Sequence, residues 1–183
     1  MVHDHLSSRL KDKVQILTLG KSEAAESYTW SPLASRWAAV EYDTSQNLFS
    51  RIGIGTRGVR VALRMQPLTL HQALCWRDKH LFLTAIRDHD NEYLELEAAL
   101  VTVETCQSDG VRFPGVLTEK YLSHAQEWPM SVNELRLVLV VPKVIVLRPG
   151  HLVDVRGAEW EILVPHELDE YKNEYEIGRT VEL

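Results

Sequence analysis

Apolar residues in this chain recur at every second position, and that period constrains its fold more than any other feature. Val59-Arg60-Val61-Ala62-Leu63-Arg64 sets Val59, Val61 and Leu63 on one side and Arg60 and Arg64 on the other, the pattern of a strand with one buried face. Val14–Leu19 is short, apolar and stops at Gly20. Tyr28-Thr29-Trp30 is closed by Ser31-Pro32, and Arg36–Tyr42 forms the next strand. Ala73–Trp76 and Leu81–Ile86 flank Arg77-Asp78-Lys79-His80 as the arms of a hairpin, and Asp88–Asn91 carries turn chemistry. Tyr93–Glu104 reads as a strand whose phase changes near Ala98–Leu100, as at a bulge, although its Leu, Glu and Ala content also suits a helix.

Gln107-Ser108-Asp109-Gly110 and Pro114-Gly115 interrupt this pattern and mark a linker. Beyond it the same grammar returns. Leu135–Val141 and Val144–Leu147 read as strands, Pro149-Gly150 as a turn, and His151–Val155 and Glu159–Val164 as a hairpin around Arg156-Gly157. Asn173–Ile177 then leads into Thr180–Leu183. The halves overlay: Arg60–Leu63 on Arg136–Leu139, the Arg77 hairpin on the Arg156 hairpin, and Asn91-Glu92-Tyr93 on Asn173-Glu174-Tyr175. This predicts an all-β protein of two small β-sandwich or barrel-like units, 1–106 and 107–183, related as a divergent tandem duplication. The second unit is expected to lack, or to have replaced, the opening strands of the first. Each unit is close to the size at which such a fold is marginal alone, so packing together or assembly is expected.

Charge narrows the partners. Against 20 Lys and Arg stand 26 Asp and Glu, a net charge of −6, which excludes a general nucleic-acid binder with a basic face. The excess acid lies in residues 107–183, at net −5, while residues 1–106 are near neutral at −1. No Asp or Glu falls between Asp43 and Asp78, whereas Arg51, Arg57, Arg60, Arg64 and Arg77 all do. The longest mainly apolar run, Leu135–Leu147, holds Arg136 and Lys143 and falls short of the ~20 residues that span a bilayer. The first residues contain no apolar signal core, so no membrane association or export is expected. Cys75 and Cys106 are too few for a disulfide scaffold.

Gly53-Ile54-Gly55-Thr56-Arg57-Gly58 spells G-x-G-x-x-G. A dinucleotide fingerprint needs a helix after it to hold the pyrophosphate, and a strand-like segment follows instead. The kinase version fails too, since Arg64 stands early and in place of lysine, and neither His-Arg-Asp nor Asp-Phe-Gly occurs. The eight histidines do not cluster at metal-ligand spacing; Cys75 reads as a small strand hydrophobe, and Glu95/Glu97 and Glu159/Glu161 as solvated strand faces. No enzyme, cofactor, metal or small-molecule substrate is therefore expected. The segment Arg51, Gly53, Gly55, Arg57, Gly58, Arg60 and Arg64 remains as a candidate loop that touches phosphate or an acidic partner surface, with a solvated connection between strands as the plain alternative.

An ordered series of residues resembles the tailed-phage head–tail joining (head–tail adaptor) family over residues 5–106. Leu6–Leu19 is similar to the family's opening L-x-x-R and first strand, and Trp37-Ala38-Ala39-Val40-Glu41 to its Trp-Ala-x-Val-Glu signature. Val59–Arg64 is similar to its strand ending in arginine, and Leu81–Asp88 with Tyr93–Leu96 to its last hairpin. The family's Gly before the hairpin strand is missing from Arg77-Asp78-Lys79, and the second unit is extra to the usual single-domain members. The resemblance implies a non-enzymatic virion protein of the neck, made in the host cytoplasm. Such a protein assembles as a ring between portal (connector) and tail proteins, with a loop at about Asp43–Gly58 reaching packaged DNA. A tail terminator or tail-completion protein is the neighbouring alternative; a nucleotide- or small-molecule-binding β domain using the glycine loop is the alternative of another class.

Overall fold

The computed structural model describes residues 8–22, 25–43, 57–119 and 134–180, and among them there is no helix. The protein is all-β, as the period-two pattern requires. The described residues form twelve strands, which divide between two compact units.

The first unit comprises β1 (Asp12–Ser22) as far as Gly20, β2 (Ser27–Asp43) from Thr29, β3 (Arg57–Arg64), β4 (Ala73–Trp76), β5 (Lys79–His89) and β6 (Tyr93–Val101). Hydrogen bonding runs β1-β4-β5-β6-β3-β2, and the β1–β2 pairing closes the ring. Closure removes exposed sheet edges, the standing hazard of a β protein. Inward positions supply the core: Val14 and Ile16, Ala38, Val59, Val61 and Leu63, Leu74 and Trp76, Leu81 and Leu83, and Leu94, Leu96 and Ala98. Burying each large aliphatic stabilises the fold by about 1.5–3 kcal/mol.

The second unit comprises Lys21–Tyr28 together with β7 (Glu104–Ser108), β8 (Val111–Glu119), β9 (Glu134–Pro142), β10 (Leu152–Val155), β11 (Ala158–His166) and β12 (Lys172–Thr180). Its ring runs β7-β10-β11-β12-β9-β8, and the β7–β8 hairpin completes it. Its separate core holds Cys106, Phe113, Leu139, Val153, Trp160, Ile162, Tyr175 and Ile177. Gly115 is fixed by close approach: a Cβ there would stand 2.8 Å from both Cys106 Sγ and Leu139 Cδ1.

Strand for strand, the second ring repeats the order of the first. The equivalence extends to detail. The fourth and fifth strands of each ring are joined by a two-residue left-handed turn opening on arginine, Arg77-Asp78 (φ 50° and 60°) and Arg156-Gly157 (φ 57° and 74°). Each turn arginine bonds the acidic residue that opens the first strand of its ring: Arg77 to Asp12 at 3.1 Å, Arg156 to Glu104 at 2.5 Å. Each fifth strand bulges six residues beyond its turn, at Thr84 and at Leu163.

The structure corrects several sequence expectations. Gln107–Gly110 is no linker: Asp109 and Gly110 (φ 51° and 82°) turn the β7–β8 hairpin, so the second unit has its opening strands. Asp-Gly is a strong hairpin signal, and the 106/107 boundary falls inside β7. Ser31-Pro32 does not end a strand; β2 runs through it, because pairing with β3 begins only at Ala38 and a missing N–H there breaks no β3 bond. The bulge expected at Ala98–Leu100 belongs to β5, the neighbour of β6. Val144–Leu147 is a loop despite its alternation of exposed valines and buried Ile145 and Leu147. Its backbone is held by side chains of β12. Asn173 Nδ2 donates to the Ile145 carbonyl at 2.8 Å, and the Leu147 N–H donates to Tyr175 Oη at 3.0 Å.

Candidate assembly surface of the first unit

Of the residues singled out by sequence, Arg51, Gly53 and Gly55 lie outside the described residues. Arg57, Gly58, Arg60 and Arg64 all lie on β3, and the strand separates them. Gly58 is buried in the sheet between Asp43 and Ala99. Arg57 is exposed at the strand's start, and Arg60 and Arg64 project from the outer face, opposite the buried Val59, Val61 and Leu63. A strand follows the glycine motif where a phosphate-binding helix is needed.

Arg60 takes its place in a charge ladder. Register sets it between Glu41 of β2 and Glu97 of β6; beyond them, Arg9 pairs with Glu41 and Arg87 bonds Glu97 at 2.8 Å. Charges thus alternate, Arg9–Glu41–Arg60–Glu97–Arg87, across the outer face. They line a groove of about 400 Å³ with Ala39, Ala62 and Leu96 in its floor. Opposite charges directly across strands each contribute roughly 0.2–1 kcal/mol. The ladder satisfies its own charges, so Arg60 is part of a self-paired surface rather than a free cation.

Arg64 lies outside that ladder. Continuing the register one pair past Ala38↔Leu63 brings it level with Trp37. Trp37 is 61% exposed and Leu33, four residues earlier on the same face, 60%. Met65 and Arg36 have the alternate phase; both are exposed, and Arg36 Nε donates to Gln66 Oε1 at 2.8 Å. On this outer face Glu95 of β6, opposite Ala62, lies diagonal to Arg64, and the Glu92 backbone carbonyl accepts the Met65 N–H. The outer face here therefore combines an exposed aromatic and an exposed aliphatic with an arginine and a carboxylate, and aromatic and arginine side chains are those from which interface hot spots are built.

Sequence and structure comparisons find no matching family model, curated protein or solved structure.

Elsewhere, burial and local bonds set the state of several polar groups. Burial pushes the Cys106 thiol up to about 12, with Glu104 and Asp154 adding to it, and also raises Cys75. Neither is a poised thiolate. Burial pulls the His80 imidazole down to about 4, and its ring packs against Trp30 with centroids 5.3 Å apart and a tilt of 55°. His151 Nδ1 lies 2.9 Å from Asp109 Oδ2, an imidazole–carboxylate pair, but the adjacent buried Ser108 hydroxyl donates to the Leu152 carbonyl. The Ser108 hydroxyl is thus committed to that carbonyl rather than to the imidazole. Among the described residues, no three His, Cys, Asp or Glu side chains gather as a metal site. No helix among them is long and apolar enough to cross a membrane.

Sequence reasoning quoted Trp37 for its resemblance and missed its exposure. The signal was its phase: Trp37, Ala39 and Glu41 share a face, while the alternate Ala38 and Val40 pack on the core.

Proposed function

We propose that this chain is a structural component of a tailed-phage or prophage neck, assembling as a ring between portal and tail and contacting packaged DNA through its Asp43–Gly58 segment. Its two units are proposed to be divergent copies of one ancestral barrel, a reading supported by the repeated strand order, turn arginines and bulges. The observation that carries the assembly reading is the Trp37-Ala38-Ala39-Val40-Glu41 segment. It turns Ala38 and Val40 to the core and holds a tryptophan 61% exposed to solvent. A monomer gains nothing from presenting that ring, whereas an assembly buries it at every interface.

The purified full chain is expected to form rings in negative stain and in native mass spectrometry as concentration rises, and to bind portal assemblies. A chain that stays monomeric and ignores portal overturns the reading. Binding to tail-tube protein without portal binding moves it to the tail side.

A further inference from the structure

Val144–Leu147 alternates like a strand, with Val144 and Val146 exposed and Ile145 and Leu147 buried, yet it joins no ladder. One of its two edges is taken. Asn173 Nδ2 donates to the carbonyls of Lys143 at 3.2 Å and Ile145 at 2.8 Å, and the Leu147 N–H donates to Tyr175 Oη at 3.0 Å. Lys143, Ile145 and Leu147 thus turn these backbone groups to β12. Alternate residues of an extended chain point theirs to opposite edges, so the N–H and carbonyl of Val146 face away from β12. Among the described residues neither group has a partner. Strand edges of natural proteins are ordinarily blunted by lysine, proline or a covering element. Here both exposed positions are valine, and Pro142 and Pro149 stand only at the ends.

That free edge borders a groove of about 580 Å³ within the second unit, lined by the 144–148 segment and by Tyr28, Val111 and Phe113. Phe113, Ile145 and Leu147 belong to the buried core, so the groove exposes apolar surface at its base. β8 offers no competing edge at Arg112, whose N–H already donates to the Glu26 carbonyl at 3.1 Å. The remaining lining carries both signs of charge, Lys21 and Arg148 against Glu26 and Asp109, so the recognising element is the backbone and not a charge. We propose that an extended polypeptide segment of a partner protein, apolar at alternate positions, lies in this groove and completes Val144–Leu147 into a strand. Val146 exchanges both its backbone hydrogen bonds with that segment, and every second side chain of the newcomer packs over Phe113 and Leu147. Asn173 and Tyr175 already hold the receiving edge in place, so little ordering entropy remains to be lost on this side. The contact requires neither ring nor portal.

The test pans a displayed library of random peptides, each as long as an ordinary strand of about 5–6 residues, against the immobilised full chain. Enriched peptides are expected to carry apolar residues at alternate positions; they are then made with a fluorophore and titrated by anisotropy. Val146→Pro removes the edge N–H, which has no partner among the described residues. Its melting is expected to match the parent while peptide affinity falls roughly tenfold or more. Val146→Thr keeps the N–H and a branched side chain, and is expected to bind like the parent. N-methylating the peptide one residue at a time is expected to weaken binding at every second position only, a readout that stands even where Val146→Pro fails to fold. Enrichment of no peptide overturns the proposal, as does equal affinity for the parent and a folded Val146→Pro. N-methyl losses without a period of two also overturn it, because the groove then reads side chains rather than pairing an edge. Self-association of the parent that Val146→Pro abolishes, with no peptide enriched, overturns the partner segment in favour of a second copy.

Discussion

Replacing Tyr175 by Phe removes a single oxygen that serves two partners. The hydroxyl accepts the Leu147 N–H and donates to Glu167, so the variant leaves a buried amide unpaired and is expected to cost about 1–3 kcal/mol in urea titrations at neutral pH. Burial, reinforced by the Glu167 bond, pushes this phenol up to about 12 from its ordinary value of 10. A raised native value gives stability that is complete below pH 10 and lost as pH climbs towards 12. The parent is therefore expected to lose its advantage over Tyr175→Phe across that window. His80 behaves with the opposite sign: its native value is lowered from 6.5 to about 4, so its contribution is complete above pH 6.5 and lost as pH falls towards 4. His80→Phe keeps a ring against Trp30 and is expected to flatten that acid limb in denaturation midpoints recorded between pH 7 and 4. The shared Asn-Glu-Tyr tripeptide shows how far a sequence match reaches. Asn173 and Tyr175 pin a loop, whereas Asn91 sits in a turn at φ 56°. The letters repeat while the contacts differ, because local identity does not specify which neighbours a side chain meets.

Among the elements, strands were legible wherever one face was buried, and least legible where turn chemistry or side-chain bonding replaced the ladder. Val59–Arg64 could be read directly, since its alternation is its burial. Val144–Leu147 alternates in the same way yet joins no ladder, because Asn173 and Tyr175 from a distant strand supply the partners. No local pattern encodes that. The candidate site was legible only in part: the outward face of Arg60 and Arg64 followed from the period, but the pairing of Arg60 with Glu41 and Glu97 depends on long-range register. Two expected outcomes test the elements themselves. Glu97→Arg sets like charges at three neighbouring places on the ladder, and is expected to lower stability by about 1 kcal/mol at low ionic strength, with recovery as salt screens the row. Urea titrations at low and high salt check it; equal loss at both shows that packing rather than charge is responsible. Gly115→Ala places a methyl group against Cys106 and Leu139 and is expected to cost about 1–3 kcal/mol. Adding Cys106→Ala should return part of that loss, and a purely additive double variant argues against the clash.

At the scale of the whole molecule, the net charge of −6 concealed an uneven distribution whose meaning depends on the fold. The acid-free stretch contributes Arg64 to the outer face beside Trp37 in the first unit, while the acidic half sets Glu167, Asp169 and Glu170 on either side of the exposed Leu168 in the second. Two units of like order were legible because an arginine opens the matching turn of each, and Asn-Glu-Tyr recurs at the final strand of each. The opening hairpin of the second was not, because Asp109-Gly110 carries the same residues as a linker. Two rings with separate cores have a thermodynamic consequence. Leu63 and Ile162 are each fully buried, one in each core, and truncating either to alanine is expected to cost about 2–5 kcal/mol. If each ring is a cooperative unit in its own right, the loss stays local. Native-state hydrogen exchange of Leu63→Ala is then expected to show faster exchange in β3–β6 with β9–β12 still protected, and Ile162→Ala the reverse. Uniform loss of protection in both rings from either variant shows instead that the chain opens as one body, and that the repeated order has been absorbed into a single folding unit.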